Sequence, residues 1–159
     1  MSGAPYYLVL DQGSHASKAL IFDAGGRIVA SGEVPIATRR PRPGWVEHDA
    51  EALVASVHGA IVAARESMDC GDVELRAAGL AIQRSSVVCW DRETGDALSP
   101  VLSWQDRRNA EWLRAQAFDA ARLREITGLV DSPHYGASKL RWCLAHLPDV
   151  QRALARGRL

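Results

Sequence analysis

The chain has 159 residues, 47% of them hydrophobic, and 19 Lys and Arg balance 19 Asp and Glu. That apolar share excludes a disordered chain, and the even charge leaves no basic excess to draw it onto nucleic acid or an anionic membrane. Cys70, Cys89 and Cys143 lie far apart with no CxxC pair, so neither a disulfide framework nor a structural zinc site is expected.

The first residues lack the basic head of a signal peptide, and no apolar run is long enough to cross a bilayer. A soluble cytoplasmic protein of one domain is expected. Tyr6 to Leu10 is an apolar run between Pro5 and Asp11, which suits a strand covered on both faces. Lys18 to Phe22 is a second strand, closed by the hairpin signal Asp23, Ala24, Gly25, Gly26. Arg27 to Ile36 is a third, with Ile28, Ala30, Val34 and Ile36 at period-two positions and Gly32 as a bulge signal. Thr38 to Trp45 holds Pro41, Pro43 and Gly44 and reads as a loop, with Glu47 and His48 part of it. Asp49 then reads as the N-cap of a helix that places Glu51 in its first turn. Leu53, Val57 and Ile61 give this helix an apolar face; it runs to about Met68 and stops near Gly71, with His58 solvated on its flank.

Leu75 to Ile82 is apolar apart from Arg76 and reads as another buried strand, Val87 to Trp90 as a further one, and Arg92 to Asp96 as a turn containing Gly95. From Asp106, read as an N-cap, the pattern is helical. Trp112, Leu113 and Phe118 share a face, and Leu123 with Ile126 opens a second helix that Gly128 breaks. Lys139 to Leu147 is a third helix, ended by Pro148, and Val150 to Leu159 a fourth. Strands, one helix, more strands, then helices only: this order predicts an α/β fold, a mixed sheet with flanking helices.

Asp11, Gln12, Gly13 and Ser14 leave the first strand. A carboxylate at a strand end can hold Mg²⁺, and Gly13 lets backbone approach a phosphate closely. Successive N–H groups in such a turn, with the hydroxyls of Ser14 and Ser17, make an anion-binding concavity beside the positive charge of Lys18. The segment is neither a Walker loop nor a GxGxxG fingerprint. An ordinary hairpin with an acid at its mouth accounts for it equally well.

Three further blocks decide the matter. They are PRPGWVEHD over Pro41 to Asp49, GLAIQRSSVVCWDRETGDALSPVLSWQDRR over Gly79 to Arg108, and TGLVDSPHYGASKLRW over Thr127 to Trp142. Together with DQGSHASKALIFD, and in this order, they resemble the N-terminal domain of the FGGY carbohydrate kinases, from about Tyr7 onward. Within that family the blocks are most similar to the glycerol kinases. The resemblance implies a ribonuclease H-like domain of the actin, hexokinase and Hsp70 superfamily. It also implies ATP and Mg²⁺ as cofactors and transfer of a phosphoryl group to a hydroxyl of a sugar or polyol. Asp11 matches the family's metal-linked aspartate, Gly13, Ser14 and Ser17 its phosphate loop, and Lys18 the basic residue after the loop. Arg84 matches an arginine that donates to polyol hydroxyls, and Trp104 a tryptophan that lies along the polyol carbons. Read alone, Arg84 is better explained by a salt bridge and Trp104 by the core. The Gln83–Arg84 pair and the Trp104 to Arg108 block argue against a hexokinase or acetate kinase.

The chain departs from the glycerol kinase pattern at three positions. Ser85 stands where a glutamate follows the motif arginine. His134, aligned on Pro133 and Lys139, stands where the family has a substrate-binding tyrosine, although another register would put Tyr135 there. His15 replaces a small hydroxyl residue of the phosphate loop. These departures lead to the expectation that the acceptor is not glycerol, or that glycerol binds weakly. The family's catalytic base and its adenine-binding C-terminal domain match nothing in the chain. A truncated domain is therefore expected, with an unpaired sheet edge, uncovered apolar surface, and either self-association or a missing C-terminal half as partner. The competing reading is a non-catalytic remnant or binding module that keeps the fold.

Overall fold

The structure is a computed structural model that describes residues 5–68 and 73–159. In chain order the elements are β1 (Tyr6–Gln12), β2 (Ala16–Phe22), β3 (Ile28–Pro35), β4 (Glu47–His48), α1 (Ala50–Glu66), β5 (Leu75–Ala81), β6 (Val101–Leu102), α2 (Ala110–Ala115), α3 (Ala120–Thr127), α4 (Gly136–His146) and α5 (Pro148–Ala155). The chain gathers into two compact units. One runs up to Thr38 and over Glu51–Gln83, and the other covers Arg39–Ala50 and Arg84–Leu159.

Side-chain alternation builds the first unit. Its four-stranded sheet has the order β3-β2-β1-β5. β1 and β3 run antiparallel to β2, and β5 runs parallel to β1. Successive residues point to opposite faces, so Leu8, Ala19, Ile21 and Ala30 meet Ala60 and Ala64 of α1 in one buried cluster. Tyr7 and Val9, on the other face, are each 37% exposed. The strand expected to be covered on both faces is thus covered on one.

β5 departs further from expectation. All seven of its residues are exposed, and Leu80 and the following Ile82 are 59% and 65% accessible. The strand stands at the sheet edge with β1 as its neighbour, so its apolar composition is not matched by burial. The uncovered edge and apolar surface anticipated from the sequence are both present here.

Gly32 is no bulge. The register slips between Ile21 and Phe22, which pair with Ala30 and Ile28 and pass over Val29. Gly32 stays in register opposite Ala19. A Cβ there would sit 2.3 Å from the Ala60 carbonyl oxygen and 2.4 Å from the Ala64 nitrogen, so glycine is what lets α1 lie against β3. Asp49 directly precedes α1, and its carboxylate pairs with Arg39 at 3.3 Å. The stop expected near Gly71, like Cys70, lies outside the described residues.

In the second unit, β4 pairs antiparallel with β6, so Glu47 and His48 form a strand where a loop was expected. Val87 and Trp90 make isolated bridges to Leu102 and Ala97 rather than a strand. Phe118 falls between α2 and α3. α3 is capped at both ends: Asp119 accepts from the Ala121 and Arg122 N–H groups, and Gly128, the expected break, ends the helix at φ 71°. Pro148 takes the first turn of α5. Cys89 and Cys143, distant in sequence, share a buried cluster with Leu102 and Val150. The two thiols are hydrogen-bonded, which pushes Cys143 up and pulls Cys89 down.

Asp106 is not a helix cap. α2 begins at Ala110, and Asp106 is 1% exposed. Its carboxylate accepts from the Val46 N–H at 2.7 Å and from Arg108 Nε and Nη2 at 2.9 and 2.8 Å. Arg108 Nη2 also donates to Glu47 at 2.6 Å. The guanidinium lies 4.0 Å from the Trp45 ring centroid and 4.5 Å from that of Trp142. Burial alone would lower the Arg108 pKa, but its bonds to Asp106 and Glu47 outweigh that and hold it above its ordinary value.

Candidate functional site

In the first unit, the chemistry-bearing residues cluster at the β1–β2 hairpin. Asp11 pairs across the strands with Lys18, and Lys18 in turn with Glu33 of β3. Directly opposed residues share a face, so these three exposed side chains form a row across the sheet. Lys18 Nζ is 3.5 Å from Glu33. At the turn, the Gly13 N–H donates to the Ala16 carbonyl at 3.0 Å. A Cβ on Gly13 would lie 3.0 Å from that same oxygen, which is why the turn takes glycine. The Gly13 carbonyl accepts from Gln12 Nε2 at 2.7 Å and from Gln83 Nε2 at 2.9 Å, and the His15 carbonyl accepts from the Ile36 N–H at 2.8 Å. The hairpin is thus braced on both sides, with Ser14 at its tip half-buried.

Two features differ from the expected phosphate nest. The Gly13 N–H is engaged inside the hairpin. Ser17 is 1% exposed and shares a hydrogen bond of 2.8 Å with Ser56 of α1. Ser17 belongs to β2 rather than to the turn, so alternation directs it to the helix side while Lys18 takes the open face. Gln83 is the brace that sequence reasoning missed. A polar residue just past an apolar strand was the available signal, and it gains meaning only once β5 is known to run parallel to β1.

In the second unit, Arg84 is exposed in the turn after β5, and Ser85 adopts φ 65°. The Trp104 N–H donates to Ser86 Oγ at 3.0 Å. The Trp104 ring, 37% exposed, stands edge-on to His134 with centroids 5.5 Å apart and planes at 66°. His134 also meets Tyr135 at 5.2 Å. A Cβ on Gly136 would come 3.1 Å from Val87 and 4.0 Å from the Ser85 carbonyl oxygen, so the 84–87 segment lies against the start of α4. The structure therefore brings together Trp104, His134 and the segment carrying Arg84 and Ser85. His134 is the residue that faces Trp104. Tyr135 instead lines a separate cavity of about 390 Å³ with Trp112, Phe118 and Arg141.

No group of three or more His, Cys, Asp or Glu side chains able to hold a metal ion occurs among the described residues. The exposed Asp11 carboxylate instead suits a hard cation that arrives with phosphate and water oxygens of its own, as Mg²⁺ does. No described helix is long and apolar enough to cross a membrane.

The comparisons with known proteins agree with one another. A family model described as the N-terminal domain of the FGGY family of carbohydrate kinases matches residues 6–156. A glycerol kinase of Ralstonia nicotianae is 39% identical over 157 residues, which cover 97% of this chain and 31% of the relative. One from Stenotrophomonas maltophilia is 37% identical over 159 residues, with the same coverage. The chain thus spans 31% of the length of these curated relatives. Among solved structures, Plasmodium falciparum glycerol kinase with ADP matches at a TM-score of 0.89 and 22% identity, over 99% of this chain and 32% of that one. A Rhodospirillum rubrum xylulose kinase matches at 0.84 and 23%, over 93% and 30%. The two structural likenesses show the fold, a ribonuclease H-like mixed sheet with flanking helices. The family model reaches almost from end to end, and on that ground the chain belongs to the FGGY family of carbohydrate kinases, matching its N-terminal domain.

Proposed function

We propose that this chain is the phosphate- and acceptor-handling part of an ATP-dependent kinase that phosphorylates a hydroxyl of a sugar or polyol in a reducing cytoplasm. The observation that carries the reading is the braced hairpin, which holds Asp11 and Lys18 side by side on the open face of the sheet. Lys18 sets a positive charge beside the phosphate tail of the nucleotide. Gly13 keeps the turn tight and Ser14 supplies a hydroxyl at its tip. Asp11 would hold Mg²⁺, which when bound offsets charge on the transferring phosphates. In the second unit, Arg84 donates to acceptor hydroxyls, and the exposed Trp104 ring offers its face to the acceptor carbons with His134 beside it. We assign no general base within the chain.

Ser85 narrows the acceptor. It removes the carboxylate that would accept from two polyol hydroxyls, a loss of about 1–3 kcal/mol for each partner left unpaired. Glycerol is accordingly a poor acceptor. The test is a phosphoryl-transfer assay over a panel of sugars and polyols, run on the chain alone and with the remainder of a curated relative supplied. Asp11→Asn is expected to suppress Mg²⁺-dependent transfer, and Arg84→Ala chiefly to raise KM for the acceptor. Glycerol emerging with the best kcat/KM refutes the acceptor reading, and unchanged kinetics in Asp11→Asn remove that residue from the mechanism.

A second reading, a non-catalytic module that keeps the fold, is favoured by one observation. With the Gly13 N–H and the Ser17 hydroxyl engaged internally, fewer donors face a phosphate than the family pattern implies. Absence of nucleotide binding under every condition would select it.

A further inference from the structure

Lys139 is the largest fully buried side chain among the described residues, 1% exposed in the first turn of α4. Its Nζ donates to three consecutive carbonyls, those of Pro133 at 2.9 Å, His134 at 2.5 Å and Tyr135 at 3.4 Å. An ammonium has three N–H donors, and all three are used here. The N-cap of α4, Tyr135, makes no side-chain capping bond, so Lys139 reaches back and fastens the chain that enters the helix. Asn109 ties the same turn from another side, donating to the Ser138 carbonyl at 2.7 Å. An apolar side chain would fill the space without the penalty of burying a charge. What only the ammonium provides is a single point on which three carbonyls converge.

We propose that Lys139 is the positioning residue of the acceptor site, its ammonium fixing the 133–135 backbone so that the His134 ring stands against Trp104. The inference rests on the reading that Trp104 and His134 meet the acceptor. Asp106 and Arg108 are the charged groups that act on the ammonium, and His134 and Tyr135 are the titratable groups on the loop it holds. Burial lowers the Lys139 pKa to about 8, with Arg108 adding to the shift and Asp106 opposing it. Below that pH three charge-assisted bonds hold the loop. Above it, a neutral amine offers two donors to three carbonyls.

The test uses NMR of the full chain, following the His134 ring protons, which the neighbouring Trp104 and Tyr135 rings displace from their usual shifts. Equilibrium binding of small polyols is measured on the same samples. Lys139→Met is expected to bring the His134 signals back toward ordinary values and to weaken polyol binding about tenfold or more, with Lys139→Gln intermediate. In the wild-type chain both readouts change with a midpoint near pH 8, and that midpoint is lost in both variants. Should the variants not fold, the wild-type titration decides, and a His134 environment that is constant through that midpoint overturns the proposal. Retention of both the displaced shifts and the affinity in a folded Lys139→Met also overturns it. Collapse of the His134 shifts with no polyol bound by any form, wild type included, supports the clamp and defeats the acceptor reading instead.

Discussion

The two units hold their candidate site residues by opposite means. In the first, uncharged residues do the work: alternating strands present Leu8, Ala19, Ile21 and Ala30 to Ala60 and Ala64, and Gly32 lets the helix lie against the sheet. Charged groups stay outside, in the exposed row of Asp11, Lys18 and Glu33. In the second, charges lie inside. Arg108 joins Asp106 and Glu47 while packing over two tryptophans, and Lys139 gathers three carbonyls under the loop that carries His134. A sheet face can orient an exposed carboxylate through pairing register alone. An irregular region with two-residue strands relies on buried side-chain bonds to do the same for an imidazole and an indole.

The sharpest way to break this contrast is Arg108→Ala. It leaves the buried Asp106 and the half-buried Glu47 without their partner and removes the guanidinium packed over Trp45 and Trp142. The expected loss is about 3–5 kcal/mol in urea unfolding. A loss under about 1 kcal/mol, the scale of a solvent-exposed pair, would show that the buried charges do not hold this unit. Gly32→Ala comes next, at about 1–3 kcal/mol, because the new methyl must separate β3 from α1. A neutral result there would deny the close helix approach. Ser17→Ala removes one bond to Ser56, which keeps its bond to the Leu53 carbonyl, so about 1 kcal/mol is expected. Calorimetric nucleotide affinity should be unchanged in that variant. A drop with stability preserved would return Ser17 to the phosphate site. Asp119→Ala, at an exposed cap, is the mildest, at about 0.5–1 kcal/mol by thermal melting.

The same contrast explains how much could be read in the sequence. The meander, α1, the Gly128 stop and the Asp11–Lys18 hairpin are legible because they rest on short-range periodicity and local turn chemistry, whereas the Asp119 cap is seen only in the structure. Ser17 lies in β2 rather than in the turn because the strand begins two residues before the apolar run that marks it. Once β2 is known to start at Ala16, alternation separates Ser17 from Lys18. The burial of β5 was overestimated because an apolar run records what a strand can bury, not which neighbours it has. Asp106, Arg108 and Lys139 were not legible as a network. The partners of Asp106 and Arg108 lie up to 61 residues away in sequence, those of Lys139 only four to six, and in neither case does anything local distinguish a buried charge from a solvated one. Family resemblance singles out Arg84, Trp104 and His134 as candidates, but only the structure shows His134 rather than Tyr135 as the neighbour of Trp104.

The most direct measurement is an NMR titration of the isotope-labelled chain with ATP and Mg²⁺, repeated on Asp11→Asn. The account predicts shifts concentrated at Asp11, Gly13, Ser14 and Lys18, with affinity for the metal–nucleotide complex lost in the variant. Shifts centred elsewhere, or an Asp11→Asn chain that binds as wild type does, would contradict the claim that this hairpin receives the phosphate tail.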